Sequence, residues 1–282
     1  MPKTALRTVA LLFVLMAFAW VRQASAQYTN LVTDGTFGQV SLSSGQSSTG
    51  LTTLYGQFGT GYLTVAGWST TGYNFVYAPN TVDQGTGTGG AFAGQPKEAP
   101  GQYTVNGYGN QYMWGSHNGG TAAWPATDPA GGDFIAADGT YESGAITQTI
   151  TGLKVGEAYA LKFYWGAAQQ QSYTGSTTEW WSVSLGGETE STSTFSLASG
   201  SFSGWMQDTM YFTATSATET LSFLAGGTPN GQPPFSLLGG VSLEVVPDFS
   251  NWMAFASFGG GCMLLEAGRR RRRQKKSGPP PA

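Results

Sequence analysis

Short segments in which apolar and polar residues alternate make up much of the chain between Gln27 and Pro247. Six of them have the two-residue period of a half-buried β-strand, whose successive side chains point to opposite faces. They are Ala145–Ile150, Ala158–Trp165, Trp180–Leu185, Met210–Ala214, Thr220–Leu224 and Val241–Val245. Glycine-rich turns separate these segments, and long helical periods are hard to find. The pattern therefore predicts an all-β domain built as a sandwich or barrel.

The alternation also predicts which side of each strand is buried. In the third segment, Trp180 lies on the face opposite the core. The residues predicted to face the core are Trp181, Val183 and Leu185. Residues 152–157 form a predicted tight turn and Gly186-Gly187 a predicted hairpin, so the strands flanking each are expected to be antiparallel neighbours. The segment Asp133–Gly139 is interpreted as one further strand that ends in an Asp-Gly turn.

The N-terminus has the three regions of a secretory signal peptide. Lys3 and Arg7 precede the apolar stretch Val9–Val21, and Ala24-Ser25-Ala26 offers small residues for cleavage. The pattern predicts a signal peptide over residues 1–26, recognised by the secretion machinery and removed by signal peptidase. An uncleaved N-terminal anchor is the alternative.

The C-terminus combines an apolar run with a block of positive charge. Phe249–Ala267 is 19 residues long, which as a helix would measure about 28 Å and nearly span a bilayer. The basic residues that follow at once are Arg269, Arg270, Arg271, Arg272 and Arg273. Because such charges stay on the cytoplasmic side, the chain before Phe249 is expected outside. A nucleic-acid-binding tail is the other reading of the basic block.

Without its two ends the chain is strongly acidic. Residues 27–248 contain three lysines, no arginine and fifteen carboxylates, a formal charge of 3 − 15 = −12. Such a domain repels a phosphate backbone, so nucleic acid is excluded as a partner of the folded part. The single cysteine, Cys262, lies in the C-terminal apolar run. The exported domain therefore depends on a hydrophobic core instead of disulfides.

Aromatic residues make up 13% of the chain, and many lie in glycine-rich segments such as Tyr103–Trp124. They are interpreted either as loop packing or as a platform on which a sugar ring stacks. Loops on a rigid sandwich are the usual place for binding. The residues predicted to stack a carbohydrate are Trp114, Trp124 and Trp180, and those predicted to orient it by hydrogen bonds are Asn110, Gln111 and Asn118.

Little in the sequence indicates catalysis. His117 is the only histidine, so any Ser-His-Asp triad would depend on it. A hydrolase of surface polysaccharide would need two carboxylates across one cleft. The acids close enough in sequence to raise that alternative are Asp128, Asp133, Asp138 and Glu142. We expect a protein that is not an enzyme.

The end of the chain resembles the PEP-CTERM sorting signal of Gram-negative bacteria. The resemblance rests on Val246-Pro247-Asp248, Trp252, Phe258–Gly261 and the arginine block Arg269–Arg273. Asp248 stands where that signal usually has Glu, and Phe249 where it has a second proline. The resemblance implies that residues 246–282 are a tail removed by a membrane protease of the exosortase type, after transient anchoring in the inner membrane.

The body of the chain, residues 27–245, resembles galactose-binding-like jelly-roll domains. The similar stretches include Asn30–Phe37, Gly131–Gly139 and Ile146–Trp165, and continue through Gly204-Trp205 to Leu243. The resemblance implies a jelly-roll β-sandwich at the cell surface or in the extracellular matrix, associated with extracellular polysaccharide. A purely structural surface protein without ligand is the alternative.

Calcium is the cofactor that the composition favours, because oxygen ligands are plentiful and soft ligands are scarce. In a jelly roll the first and last strands often lie side by side. That arrangement would bring Asp34 near Glu244, which predicts a structural Ca²⁺ site; two unrelated surface acids are the other interpretation.

Overall fold

The computed structural model describes residues 29–44, 54–59, 62–83 and 111–247, in which thirteen strands form. No helix forms in these ranges, which confirms the all-β prediction. The described residues therefore contain no candidate membrane-spanning helix. The strands are β1 Val40–Leu42, β2 Gly56–Gln57, β3 Leu63–Val65, β4 Asn74–Tyr77, β5 Phe134–Asp138, β6 Ile146–Thr151, β7 Ala158–Gln169, β8 Thr177–Leu185, β9 Glu188–Ser191, β10 Phe195–Leu197, β11 Met206–Thr213, β12 Thr218–Thr228 and β13 Pro234–Val245.

Two antiparallel sheets pack face to face, and β1 pairs with β3 in a separate two-stranded sheet. The six-stranded sheet has the order β11-β7-β13-β5-β4-β2, and the five-stranded sheet has the order β10-β8-β12-β6, with β9 paired to β8. From β5 onwards the chain passes between the sheets at almost every connection. The strands β11-β7-β13-β5 therefore lie opposite β10-β8-β12-β6, and this order is that of a jelly roll. The strand order itself thus bears out the predicted sandwich.

The main core lies between the sheets. Phe223, in β12, is fully buried, and its ring contacts those of Phe163 and Trp181 at centroid distances of 5.2 and 5.9 Å. The residues predicted to face the core are all buried: Trp181, Val183 and Leu185. Trp180 lies on the opposite face and is half-buried, as the alternation predicts.

One predicted pairing is wrong. Residues 152–157 connect β6 to β7, but the two strands belong to different sheets, since β6 pairs with β12 and β7 pairs with β11 and β13. A turn determines where the chain reverses direction, but it does not determine whether the two strands that it connects pair with each other. The predicted hairpin at Gly186-Gly187 does form, because Ser184 pairs with Thr189 across β8 and β9.

A β-bulge in β13 keeps the apolar side chains of that strand on the core side. Between Gly239 and Ser242 the strand advances three residues while β7 advances two, from Tyr164 to Lys162. One extra residue shifts the alternation by one position. Leu238 before the bulge and Leu243 after it consequently both face the main core.

The first described segment lies beside the last strand. The Leu31 N–H donates to the Leu243 carbonyl at 2.9 Å, and the Val241 N–H donates to Gly35 at 2.8 Å. The Asn30 side chain accepts a further bond from the Leu243 N–H. The neighbouring first and last segments expected of a jelly roll are therefore present.

All thirteen strands lie within a compact unit that ends at Val245, and Val246–Ala282 form a separate unit. The structure describes only Val246 and Pro247 of the latter. The predicted signal peptide, the rest of the tail with Asp248 and Arg269–Arg273, and Asn110 lie outside the described residues.

Candidate functional site

Loops cover much of the outer face of the six-stranded sheet. The apolar side chains that β4, β5 and β13 present there are Phe75, Tyr77, Phe134, Phe235 and Leu237, all fully or almost fully buried. They pack beneath residues 111–124 and 202–205, which we call the loop layer. Its apolar contacts come from Met113, Trp124, Phe202 and Trp205. The glycine-broken aromatic segment is thus held in place by a second, smaller core.

Trp114 is held at the edge of the loop layer by two hydrogen bonds. Its backbone N–H donates to the Gln169 carbonyl at 3.0 Å, at the end of β7. Its indole Nε1 donates to the Tyr173 carbonyl at 2.6 Å. The side chain is half-buried. One polar edge of the ring is therefore fixed while part of its apolar surface stays accessible.

Glycines flank the Trp114 ring. A Cβ added to Gly200 would lie 3.9 Å from Trp114 Cγ, and one added to Gly119 would lie 3.7 Å from Cζ3. Both glycines have positive φ, +67° and +97°, which side chains rarely adopt. At positions 119 and 200, therefore, no side chain lies against the indole. We call this group, with Tyr173 at 38% exposure beside it, the Trp114 site.

Tyr173 and Gly200 are not among the residues that the sequence predicts for this site. Tyr173 lies in the polar connection that follows β7. An aromatic residue at such a position, outside any strand, is the feature of the sequence that could have indicated it. Nothing in the sequence brings Gly200 next to Trp114, because the two are 86 positions apart and meet only in the folded chain.

Trp124, also predicted to stack a sugar, is used for packing. Its ring lies nearly parallel to that of Phe202, with interplanar angle 12° and centroids 4.1 Å apart. Its Nε1 donates to the Trp114 carbonyl at 2.8 Å. Trp124 thus supports the loop that carries Trp114.

Two of the three polar residues predicted to orient a sugar, Asn118 and Gln111, already have hydrogen-bond partners. Asn118 is buried; its Nδ2 donates to the Met113 carbonyl at 2.7 Å and its Oδ1 accepts from the Gly115 N–H at 2.9 Å. The Gln111 Oε1 accepts from Gln170 Nε2 at 2.8 Å. These hydrogen bonds hold the loop layer together, and a role of Asn118 and Gln111 in orienting a sugar stays a prediction.

Trp180 lies far from this group, on the outer face of the five-stranded sheet. It is paired with Gly226 across β8 and β12. A Cβ at Gly226 would lie 2.3 Å from Trp180 Cε2, so the ring rests on that glycine. The loop layer covers the other sheet, so the structure does not bring Trp114 and Trp180 together on one face.

His117 is fixed but lacks the partners of a catalytic triad. Its Nδ1 lies 2.9 Å from Oδ2 of Asp83, which is almost fully buried, while the His117 side chain is exposed. No hydrogen bond within the described ranges joins this imidazole to a serine or threonine hydroxyl. The pair therefore anchors the loop, and nothing observed gives it a nucleophile to activate.

The candidate carboxylates for hydrolysis fall into two groups. Asp133 precedes β5 and Asp138 ends it, so their Cα atoms are about 17 Å apart at about 3.3 Å per residue. Glycosidase carboxyl groups lie roughly 5 to 9.5 Å apart. Asp138 accepts hydrogen bonds from Thr140 and from the Tyr141 N–H, which close the Asp-Gly turn.

Three acids meet before β5. Burial, with Asp34 and Asp128 nearby, raises the pKa of Asp133 to about 7. Burial also raises the pKa of Asp128, although its Oδ1 accepts the Gly132 N–H at 2.9 Å. The Asp34 carboxylate accepts hydrogen bonds from the backbone N–H groups of Gly38 and Gln39.

These acids are not arranged as a cluster of metal-binding side chains. No group of three or more His, Cys, Asp or Glu in the described part of the chain is placed to hold a metal ion. The predicted pair is also directed to other partners, since Glu244 forms an ion pair with Lys162 at 3.7 Å and Asp34 binds backbone. The structure does not test the expected Ca²⁺ site, and calcium binding stays a prediction.

Comparisons with known proteins find likeness only at the level of structure. No protein-family model and no curated protein matches the chain. TmCBM61, solved with β-1,4-galactotriose, is 12% identical with a TM-score of 0.33, over 77% of this chain and 99% of that one. The C-terminal CBM6 of the laminarinase LamC from Zobellia galactanivorans is 12% identical with a TM-score of 0.27, over 42% and 83%.

The sugar-binding C-terminal domain of EclA is 14% identical with a TM-score of 0.30, over 53% of this chain and 100% of that one. At such identities and TM-scores, any assignment of a ligand depends on this chain's own residues.

Proposed function

We propose that this is an exported, non-enzymatic protein of the cell surface or extracellular matrix that binds polysaccharide through the Trp114 site. The observation that carries the proposal is the way in which hydrogen bonds hold the half-buried Trp114 ring in one orientation. Its Nε1–H donates to the Tyr173 carbonyl, and Gly119 and Gly200 lie next to its ring.

A partly exposed indole in a fixed orientation is well placed to bind a sugar. Pyranose rings have apolar faces that pack on an indole, while their hydroxyl groups need nearby polar atoms. Trp114 supplies a ring whose orientation is fixed before binding, so little conformational entropy is lost on association. Loops on a rigid sandwich are the usual carriers of such sites.

The partial exposure of several tryptophans supports this function over a purely structural one. Among the seven tryptophans that the structure describes, Trp68, Trp165 and Trp181 are buried. The half-buried ones are Trp114, Trp124, Trp180 and Trp205. A coat protein without ligand has no need to hold Trp114 by its edge at the surface.

The test is a glycan array probed with residues 27–247, which include every described strand. We expect binding to one or more polysaccharides, with affinity at least tenfold lower in Trp114→Ala. The matched control is Tyr211→Ala, an exposed aromatic residue of β11 that pairs with Ala160 at the other end of β7 from Gln169, and it should bind like the wild type. An array without signal, or equal binding by Trp114→Ala, would favour the structural alternative.

Sorting by the tail is part of the same proposal. The order of Pro247, an acid, an apolar segment and an arginine block supports export followed by exosortase-type processing. Every described strand ends before this tail begins, so removing it would leave the sandwich intact.

A further inference from the structure

The outer face of the five-stranded sheet carries a regular array of hydroxyl groups. The array includes a segment that reads Thr-x-Thr-x-Thr in β6 and one that reads Thr-x-Thr-x-Ser in β12. The side chains on this hydroxyl face, as we call it, are Ser69, Thr147, Thr149, Thr151, Thr178, Ser182, Ser184, Thr189, Ser191, Ser196, Thr218, Thr220, Ser222 and Thr228.

The pairing of the strands aligns five of these residues in one row. Each is directly opposite the next on the neighbouring chain segment, in the order Ser69, Thr147, Ser222, Ser184 and Thr189. Strands lie about 4.8 Å apart, so the row is about 19 Å long. Shorter rows run parallel to it, such as Thr149 with Thr220 and Thr178 with Thr228.

Most of these hydroxyls are free to bind something else. Thr178 bonds Thr228 at 2.6 Å, and Thr147 donates to the Ser69 carbonyl at 3.3 Å. Within the described chain we find no hydrogen bond for the hydroxyls of Thr149, Thr220 or Ser222. Threonine favours exposed strands and cross-strand Thr pairs stabilise sheets, but neither effect requires an almost unbroken row.

The hydroxyl face is uncharged in an acidic chain. The carboxylates of β9, on Glu188 and Glu190, alternate with Thr189 and Ser191 and so lie on the other side of that strand. Glu219, in β12, is buried and points away from the face. Besides hydroxyls, the strands present there only Trp180, Gly226 and Leu224, which is 41% exposed.

This neutrality determines the kind of partner. An anionic polymer would require lysine or arginine, and a cationic one would be attracted to carboxylates. A hydroxyl both donates and accepts, so the complement of a hydroxyl row is another row of hydroxyls. Neighbouring strands of a sheet are twisted by about 20 to 25° relative to each other. A rigid flat surface such as ice could therefore contact no more than two or three strands at once. A flexible chain can follow the twist.

We therefore propose that the hydroxyl face is a second binding surface, which takes an uncharged polysaccharide chain lying across β6, β12, β8 and β9. It is separate from the Trp114 site, on the opposite side of the sandwich. Two surfaces on opposite sides would let one protein bridge two polysaccharide chains.

The test uses native gels of the purified protein cast with a neutral polysaccharide (a β-glucan, a xylan or a galactan) or with anionic alginate. We expect retardation by at least one neutral polymer and none by alginate. In Ser222→Lys, at the centre of the row, the apparent Kd for that polymer should rise at least tenfold with Tm unchanged. Thr213→Lys, exposed on β11 of the other sheet, makes the same charge change and should bind like the wild type.

A second variant removes hydroxyls without adding charge. Thr149→Val with Thr220→Val keeps the β-branched shape, so it should fold and still lose affinity. Trp114→Ala measures the loop site separately. Loss of binding in Trp114→Ala with wild-type binding in both hydroxyl-face variants would overturn this inference and leave the proposed function standing. Inhibition of ice growth that depends on Thr149 and Thr220, without loss of polysaccharide affinity in their variant, would also overturn it.

Discussion

Individual buried residues show how closely this fold depends on hydrogen bonding. Glu179, in β8, is fully buried; neither carboxyl oxygen makes a well-formed hydrogen bond in the described chain, and the nearby Thr177 hydroxyl only partly offsets the effect of burial. Burial raises the pKa of this group to about 8, from an ordinary value of 4.5. The folded domain therefore keeps a proton on Glu179 at neutral pH, because a bare carboxylate there would be costly.

Glu179 predicts a decline of stability with pH. Between about pH 4.5 and about pH 8 the unfolded chain has released the Glu179 proton, whereas the folded chain still holds it. The free energy of unfolding therefore falls as the pH rises through this range. The contribution of Glu179 to stability is complete below pH 4.5 and is lost as the pH approaches 8. Glu179→Gln cannot ionise and should unfold at least about 3 °C higher than the wild type at pH 8, with a smaller difference at pH 4.5. Thermal unfolding at both pH values measures this.

Glu190→Gln, exposed on β9, is the control for the pH series and should follow the wild type. Equal pH dependence in Glu179→Gln and the wild type would show that Glu179 has a partner that holds its charge.

Trp114 and Trp124, both in the loop layer, should respond differently to substitution. Trp124 stacks on Phe202 and supports the second core, so Trp124→Ala should lower the free energy of unfolding by about 3 kcal/mol. Trp114 makes one side-chain hydrogen bond and is partly open, so Trp114→Ala should cost only about 1 kcal/mol. Urea unfolding of both variants checks the contrast; a larger loss for Trp114→Ala would place its indole in the core.

At the scale of single elements, the bulge of β13 is the feature most sensitive to change. Gly240 has φ +55°, and a Cβ there would lie 2.8 Å from the Ala130 Cβ and from Tyr164 Cδ2. Gly240→Ala should therefore lower the free energy of unfolding by at least about 1 to 2 kcal/mol, from backbone strain alone.

Gly187→Ala is the matched control, because a Cβ there meets nothing within 4 Å. It should be neutral or slightly stabilising. If Gly240→Ala were as stable as Gly187→Ala in denaturant, the bulge would not be the constraint that its geometry indicates.

At the scale of the whole molecule, the prediction concerns processing of the tail. Since the strands end at Val245, we expect mass spectrometry of protein released from cells to find a C-terminus close to Pro247 or Asp248. Extracellular protein that retains Arg269–Arg273 would contradict sorting by cleavage. The released protein should unfold in a single transition, because one main core joins both sheets.

Much of this fold is encoded locally and is therefore readable from the sequence. All six segments predicted from alternation are strands, and Trp181, Val183 and Leu185 are in the core. Their bounds were less well predicted, since β7 continues to Gln169 and β12 to Thr228. Those extensions contain glycine and small residues, which interrupt the alternation but are held in place by neighbouring strands.

The sequence alone determined the alternating strands, the turns and the acidic charge, because each depends on residues close together in the chain. Only the tertiary structure decided which strands pair, and so which residues share a surface. It separated Asp133 from Asp138, placed Trp180 opposite the loop layer, and brought Gly200 to Trp114. It also aligned hydroxyls from five chain segments into one row. Side-chain neighbours across a sheet are fixed by strand order and register, and these depend on contacts between residues distant in sequence.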